Sequence, residues 1–302
     1  MSQDLPFFSV IIPTYERPAQ LTICLRALSR LDYPRERFEV IVINDGGAGP
    51  FGIVIEKLSG DLNLKTYAQR NTGPAGARNF GAVHALGEFL AFTDDDCEPD
   101  KSWLKALADE FSGDPDCLVG GRTINALAEN PYAATSQQII DVAYAHFNTD
   151  PQDARFFAAN NIALAAKHFR ELKGFDKSFI TSEDRELCAR WRSLGRRLSY
   201  AQDAVVYHSH ELTLRALWRQ HFGYGRGALR FHRAASNGRF KPDLVFYQKL
   251  LRACADRERS VAGTFRTGQS ILLLFWSQLA NAAGFFYEGY LNAIKASDFR
   301  KE

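Results

Sequence analysis

The chain has 302 residues, 46% hydrophobic and 24% charged, which excludes disorder and collagen and is long enough to bury a core without a disulfide framework. Its five cysteines (Cys24, Cys97, Cys117, Cys188, Cys254) are odd in number with no C-x-x-C pair, which argues against structural zinc and paired disulfides and for a reducing, cytoplasmic setting. The net charge of +2 conceals eleven Lys/Arg against three Asp/Glu between Arg215 and Arg259 in an otherwise acidic chain, a pattern that fits an anionic ligand or surface near that segment.

Met1-Ser2-Gln3-Asp4 lacks the basic start and long apolar core of a secretory leader. Phe8 to Ile12 (FSVII) is a continuous β-branched run closed by Pro13, which predicts a buried strand. Leu21, Leu25 and Leu28 fall on one helical face and predict a helix over 18–30. Phe38 to Ile43 (FEVIVI) predicts a second strand, ending in the loop signature Asn44-Asp45-Gly46-Gly47. Leu64 to Tyr67 is a weaker third strand. Pro74 opens a helix in its first turn, where a missing N–H costs nothing, and the helix runs to about Leu86. Glu88 to Thr93 (EFLAFT) is a further strand that runs directly into Asp94-Asp95-Asp96. This alternation predicts an α/β fold with right-handed crossovers, a Rossmann-like, mostly parallel sheet flanked by helices.

Beyond Asp116 the pattern loosens. Cys117 to Thr123 and Phe156 to Ala165 read as strands, Glu183 to Leu194 as a helix, and Arg197 to Tyr200 and Ala204 to Tyr207 as short strands leading to His208-Ser209-His210. From Leu212 the chain reads as a helical C-terminal extension, interrupted by Gly223, Gly225 and Gly227. Thr267 to Tyr287 carries no charge over 21 positions, long enough to span a bilayer. Ser277, Gln278, Asn281 and two glycines dilute it, so the expectation is a helix packed on the body or lying in a membrane interface. A boundary near residue 211 divides the α/β part, 1–211, from the helical segment, 212–302.

In parallel α/β sheets ligands bind beyond the carboxyl ends of the strands, and the loops there carry Thr14-Tyr15-Glu16, Asn44-Asp45 and Asp94-Asp95-Asp96. Three adjacent carboxylates repel one another unless a cation offsets them. Hard oxygen ligands of this kind suit Mg²⁺ or Mn²⁺, which then hold a substrate phosphate. Asp45 is equally a turn former and a hydrogen-bond partner for a ribose or base. Glu183-Asp184 opens a helix, where the dipole already favours carboxylates and Ser182 can cap; a general base is the other reading. His208 and His210 point the same way on an extended segment, and either could bind a metal. Arg78, Gln220 and Arg226 are surface residues or phosphate contacts.

The order of these pieces is more specific than any one of them. Val10-Ile11-Ile12-Pro13-Thr14-Tyr15, Val42-Ile43-Asn44-Asp45-Gly46, Gly73-Pro74-Ala75-Gly76-Ala77-Arg78-Asn79 and Phe92-Thr93-Asp94-Asp95-Asp96-Cys97 come first. Ala159-Asn160-Asn161, Gly174-Phe175-Asp176, Ser182-Glu183-Asp184, Val206-Tyr207-His208 and Phe222-Gly223-Tyr224-Gly225-Arg226-Gly227 follow. Across roughly residues 7 to 230 the chain resembles the family-two glycosyltransferases, nucleotide-sugar-dependent enzymes of the GT-A fold. The resemblance implies that Pro13, Thr14, Tyr15 and Asp45 line a base and ribose pocket that Arg78 also faces. Asp94 and Asp96 would fill the D-x-D positions, with Asp96 the direct metal ligand and Asp95 near the ribose. His208 would complete the Mn²⁺ or Mg²⁺ site, and Asp184 would act as base for an inverting transfer. Asn160 would contact the donor, and Gln220 and Arg226 would approach the diphosphate or acceptor.

The implied donor is a nucleotide sugar, UDP being the commonest nucleotide, and the acceptor a glycan, a lipid-linked glycan or a small molecule. The processive members carry Gln-x-x-Arg-Trp and several spanning helices, whereas this chain has Gln220-His221-Phe222-Gly223-Tyr224 and room for one such helix, so transfer of a single sugar is expected. The Asn160-Asn161 pair stands where many relatives have a glycine-containing turn. A sugar nucleotidyltransferase would carry a glycine-rich loop after the first strand, where this chain has Pro13-Thr14-Tyr15-Glu16-Arg17. A basic-tailed module for membrane or nucleic acid leaves the carboxylates unexplained, and nucleic acid is not an expected partner. The cytoplasm, with the inner membrane face for a peripheral contact, is the expected location.

Overall fold

The structure is a computed structural model that describes residues 5–48, 52, 60–235, 243–260 and 267–298. Met1-Ser2-Gln3-Asp4, and Arg239 and Lys241 of the basic segment, lie outside the described residues. The chain forms two compact units, one of 1–126, 147–178 and 184–209, the other of 127–146, 179–183 and 210–302.

The first unit is built on an eight-stranded sheet. Its strands are β1 (Phe8–Thr14), β2 (Phe38–Asn44), β3 (Leu64–Ala68), β4 (Phe89–Phe92), β5 (Cys97–Pro99), β6 (Leu118–Asn125), β7 (Ile162–Ala165) and β8 (Leu198–His208). The spatial order is β3-β2-β1-β4-β7-β6-β8-β5. β3-β2-β1-β4 and β6-β8 pair parallel, as expected. β7 enters antiparallel between β4 and β6, and β5 closes antiparallel on β8. Helices α1 (Pro18–Leu28), α2 (Gly73–Val83), α3 (Trp103–Gly113), α5 (Ala166–Glu171) and nearly all of α6 (Glu183–Ser193) belong to this unit.

All seven residues of β1 are buried, which is why its sequence is a continuous apolar run rather than an alternating one. Leu21, Cys24, Leu25 and Leu28 of α1 pack into the same core as Val10, Val40, Leu104 and Val119. Ser9 and Glu39 are buried polar residues that satisfy each other: the Ser9 hydroxyl donates to Glu39 (2.6 Å), and Lys65 pairs with the same carboxylate (2.7 Å). A buried carboxylate is tolerated when it is paired and hydrogen-bonded in this way.

Three expected boundaries are corrected. Pro13 does not close the first strand, which continues through it to Thr14. Thr14 O accepts from Asp45 N on the β2 side and Ile11 O from Thr93 N on the β4 side. The alternation of the strand therefore points the Pro13 nitrogen toward β4, whose pairing with β1 ends at Ile11 and Phe92. No ladder bond is lost. Of the Phe156–Ala165 run, only Ile162–Ala165 is a strand and Ala159–Asn161 is a 3-10 turn. Asn161 explains the break, because its side chain accepts from Trp103 Nε1 (2.9 Å) and donates to Arg122 O and Ala204 O (3.0 and 2.9 Å). Side-chain bonds of this kind compete with regular backbone pairing. The two short strands expected over Arg197–Tyr207 are one strand, β8, with a register irregularity opposite Gly121 and Arg122.

The second unit holds α4 (Pro131–Phe147, all but its last residue), α7 (Leu214–Ala235), α8 (Leu244–Ser260) and α9 (Thr267–Asp298). Asn130 caps α4, accepting from the N–H groups of Tyr132 and Ala133 at 3.0 Å each. The expectation that Gly223, Gly225 and Gly227 interrupt the helix is also wrong, since α7 runs unbroken through all three. A Cβ at Gly225 would collide with Asn281 O, and one at Gly284 with Phe222 O. Gly225 and Gly284 are there because the backbones of α7 and α9 touch, which only residues without a Cβ permit, whereas a Cβ at Gly227 would collide with Thr181 and Ser182. Trp218 meets Trp276 with ring centroids 4.6 Å apart, and the buried Glu288 pairs with Arg226 (2.8 Å) and Arg230 (2.7 Å). Val142, Leu250, Cys254 and Leu274 join α4, α8 and α9 in a small core.

Candidate functional site

β2, β1 and β4 are neighbours in the sheet, so the segments after them emerge side by side at one edge. The first carries Asp45, the second Thr14 to Arg17, the third Asp94 to Asp96. Each carboxylate of the triplet has a basic partner. Asp94 pairs with Arg78 at 2.5 Å. Asp95 is fully buried, accepts from the Thr14 hydroxyl (2.6 Å) and lies 3.0 Å from Arg17 Nη2. Burial pushes the Asp95 carboxyl up to about 7, against the opposing pull of Arg17 and Thr14. Asp96 accepts from Arg17 Nη1 (2.8 Å) and lies 3.3 Å from His208 Nε2.

Burial alone would lower the His208 imidazole, but the Asp96 hydrogen bond and the charges of Asp96 and Asp94 raise it. Asp96, Cys97 and His208 offer ligand atoms that all lie within 4.8 Å of one another. Burial, with Asp96 and Asp94 nearby, pushes the Cys97 thiol well above its usual range. The ligands in hand are therefore carboxylate oxygen and imidazole nitrogen, a set that fits Mg²⁺ or Mn²⁺.

Asp45 is buried and spends its carboxylate on α2: it accepts from the backbone N–H groups of Thr72 and Gly73 (2.9 Å each) and from Gln69 (2.7 Å). The turn around it is tight, with Gly46 at φ +91 and no room for a Cβ beside Asn71 N. Arg78 rises from α2, buried, with its guanidinium 5.7 Å from the centre of the Phe175 ring. Tyr15, 46% exposed, follows Pro13 and Thr14 at the end of β1.

Asp184 begins the helical part of α6 in this unit. Its carboxylate accepts from the N–H groups of Arg185 (2.7 Å) and Ala159 (3.2 Å). Burial raises its pKa, and these donors and the Arg78 charge only partly reverse the shift. Arg78 thus feels both Asp94 and Asp184. Asn160 is buried beside Cys97, its amide 3.9 Å from the sulfur, and accepts from the Thr123 hydroxyl (3.4 Å). Gln220 and Arg226 belong to the second unit. There Gln220 contacts Ser136 (3.1 Å), His210 (3.4 Å) and Tyr224 (3.0 Å), and Arg226 holds Glu288.

Sequence reasoning missed Arg17, which touches two of the three carboxylates, and its only signal was its place directly after the first strand. It also passed over Asn79, whose amide grips the Phe175 backbone at N and O, 2.8 Å each. That grip sets Phe175 under the Arg78 guanidinium.

Residues 9–172 match the family model described as "Glycosyl transferase family 2", and residues 92–292 that of "Glycosyl transferase family group 2". The chain belongs to glycosyltransferase family 2. The transferase is 28% identical over 216 residues to glycosyltransferase AglE of Haloferax volcanii, covering 69% of this chain and 68% of the relative. Its 28% identity to the pre-mycofactocin glycosyltransferase of Mycobacterium tuberculosis spans 43% of that protein's length. Among solved structures, a mannosyltransferase of Pyrobaculum calidifontis in complex with GDP-Man and Mn²⁺ superposes with a TM-score of 0.63, covering 98% of this chain and 81% of that one at 19% identity. Staphylococcus aureus TarS 1–349 in complex with UDP-GlcNAc gives 0.53, covering 92% and 89% at 17% identity. These likenesses show that the glycosyltransferase has the GT-A fold.

Proposed function

We propose that this glycosyltransferase moves one sugar from a nucleoside-diphosphate sugar, with UDP as the nucleotide, to an acceptor hydroxyl, by a single displacement that inverts the anomeric centre and depends on Mn²⁺ or Mg²⁺. The observation that carries the reading is the sharing of Arg78. This arginine pairs with Asp94 in the carboxylate cluster, and its charge reaches Asp184, a half-buried carboxylate whose desolvation suits it to take a proton. The donors in the complexes of the two solved relatives, GDP-Man and UDP-GlcNAc, support the substrate class, and the Mn²⁺ in the first supports the metal.

Asp96 and His208 would hold the cation, which when bound supplies Lewis-acid stabilisation of the departing diphosphate. The chain's own residues do the rest. Asp184, held by the Arg185 and Ala159 N–H groups, accepts the acceptor's hydroxyl proton as the new bond forms. Pro13, Thr14, Tyr15 and Asp45 line the base and ribose side, and Arg78 offsets phosphate charge. Thr14 orients Asp95 toward the ribose through its hydroxyl. The acceptor is a hydroxyl of a glycan, free or lipid-linked, or of a small molecule. Mass action supplies the test: UDP at about a hundred times its Kd stabilises the fold by about 2.7 kcal/mol. UDP with Mn²⁺ is expected to raise the Tm and UDP with EDTA to do so far less. A Tm that stays put with UDP, GDP and dTDP in the presence of Mn²⁺ would sink the reading.

A second, compatible reading concerns the membrane. On α9, Leu272, Phe275, Leu279, Phe286 and Tyr290 are 55–73% exposed and recur every three, four or seven residues along the face opposite the buried Leu273, Ser277, Ala280 and Glu288. The same unit carries the basic segment of the sequence, of which Arg233, Lys249 and Arg252 are exposed. We propose that the stripe lies in an anionic bilayer interface, where apolar burial and phosphate attraction act together. The full chain is expected to float with phosphatidylglycerol vesicles, weakly with phosphatidylcholine, and not at all after Phe275→Asp with Phe286→Asp. A monodisperse dimer that ignores both vesicles would overturn it.

A further inference from the structure

Arg17 is the one residue that bridges Asp95 and Asp96 among the described ion pairs, and it does so where a cation is expected. Both oxygens of Asp96 are already engaged, Oδ2 by Arg17 at 2.8 Å and Oδ1 by His208 at 3.3 Å. A divalent ion and a guanidinium at the same carboxylate repel each other, so the Arg17 bond to Asp96 opposes metal entry.

Arg17 is built to let go. Its side chain is 45% exposed, so packing does not trap it. It is the residue before α1, and its side chain makes no capping bond there. A guanidinium fork fits phosphate as well as it fits carboxylate. Charge balance points the same way: the three carboxylates face two guanidinium groups, Arg17 and Arg78, so an added dication leaves an excess of positive charge that a diphosphate removes.

We propose that Arg17 is a positioning residue that competes with the divalent cation for Asp96 and, once displaced, turns to the nucleotide's diphosphate, so that metal and nucleotide bind cooperatively. This rests on the metal reading above. Binding linkage is reciprocal, so the coupling can be measured from either ligand.

The experiment is a titration of free Mn²⁺ by electron paramagnetic resonance, with and without UDP, on the full chain and on Arg17→Gln and Arg17→Lys. Loss of a charge-assisted bond corresponds to about tenfold in affinity. Arg17→Gln should therefore bind Mn²⁺ alone about tenfold tighter than the parent, and the enhancement of Mn²⁺ binding by UDP should shrink by about as much. Arg17→Lys, which keeps the charge without the fork, should fall between, and it carries the test if the Gln chain does not fold. An unchanged Mn²⁺ affinity with an unchanged UDP enhancement in both variants would overturn the inference and leave the metal reading standing. A parent chain that takes up no Mn²⁺ even with UDP sinks the metal reading and this inference together.

Discussion

Asp184→Asn should lower kcat by about a thousandfold while leaving the affinity for UDP with Mn²⁺ within about twofold, as measured by single-turnover transfer and by titration. The substitution is nearly isosteric; Arg185 N–H donates to Oδ1 and Ala159 N–H to Oδ2, so the amide oxygen keeps one of these two bonds and the amide NH2 stands where the other oxygen was. What it removes is the capacity to take a proton. Because burial raises the Asp184 pKa, the folded chain favours the protonated form. That contribution to stability is fully present below the carboxyl's unfolded pKa and is lost as pH rises through the folded one. The Tm of Asp184→Asn relative to the parent should therefore be higher at about pH 8 than at about pH 5. The same shift moves the acid limb of the parent's pH–rate profile above the ordinary carboxylate range, and the Asn chain should show no such limb. Transfer by Asp184→Asn at the parent rate would remove this residue from the chemistry.

How much of this was legible before the fold was known differs from element to element, and the differences have physical causes. The strands β1, β2 and β4 were readable because a strand buried on both faces is mostly apolar along its whole length. The clustering of Asp45, Thr14 and Asp94–Asp96 followed from where parallel strands end. Pro13 was misread because its effect depends on which neighbour its missing N–H would have faced, and that depends on how short β4 is. The α7 glycines were misread because the missing Cβ that weakens an isolated helix is what lets α9 approach at Gly225 and Thr181-Ser182 approach at Gly227. Arg17 stayed hidden because its meaning lies in partners 78 and 79 positions away, and no local spacing announces an ion pair of that range. The antiparallel entry of β7 carries no marker in its four residues either.

Asp96 carries the second large effect. Asp96→Asn keeps the shape of the side chain but replaces a charged oxygen that would face the cation with a neutral amide, and it removes the negative charge that pairs with Arg17 and His208. Because Arg17 also reaches Asp95, the local fold keeps one of its two clamps, and Tm should change little. Transfer should fall by at least about a hundredfold, since the loss removes charge stabilisation of the leaving group rather than general binding. EDTA on the parent should reproduce that loss, and Mn²⁺ should restore the parent but not the variant. His208→Ala tests the site from its other side: it retains the carboxylate, so raising Mn²⁺ should recover part of its rate. The Asp96→Asn chain should show no comparable recovery, and the contrast separates a ligand whose charge holds the ion from one that completes its shell. Full turnover of the parent in EDTA would exclude both residues from a metal role and leave the His208–Asp96 contact as a structural ion pair.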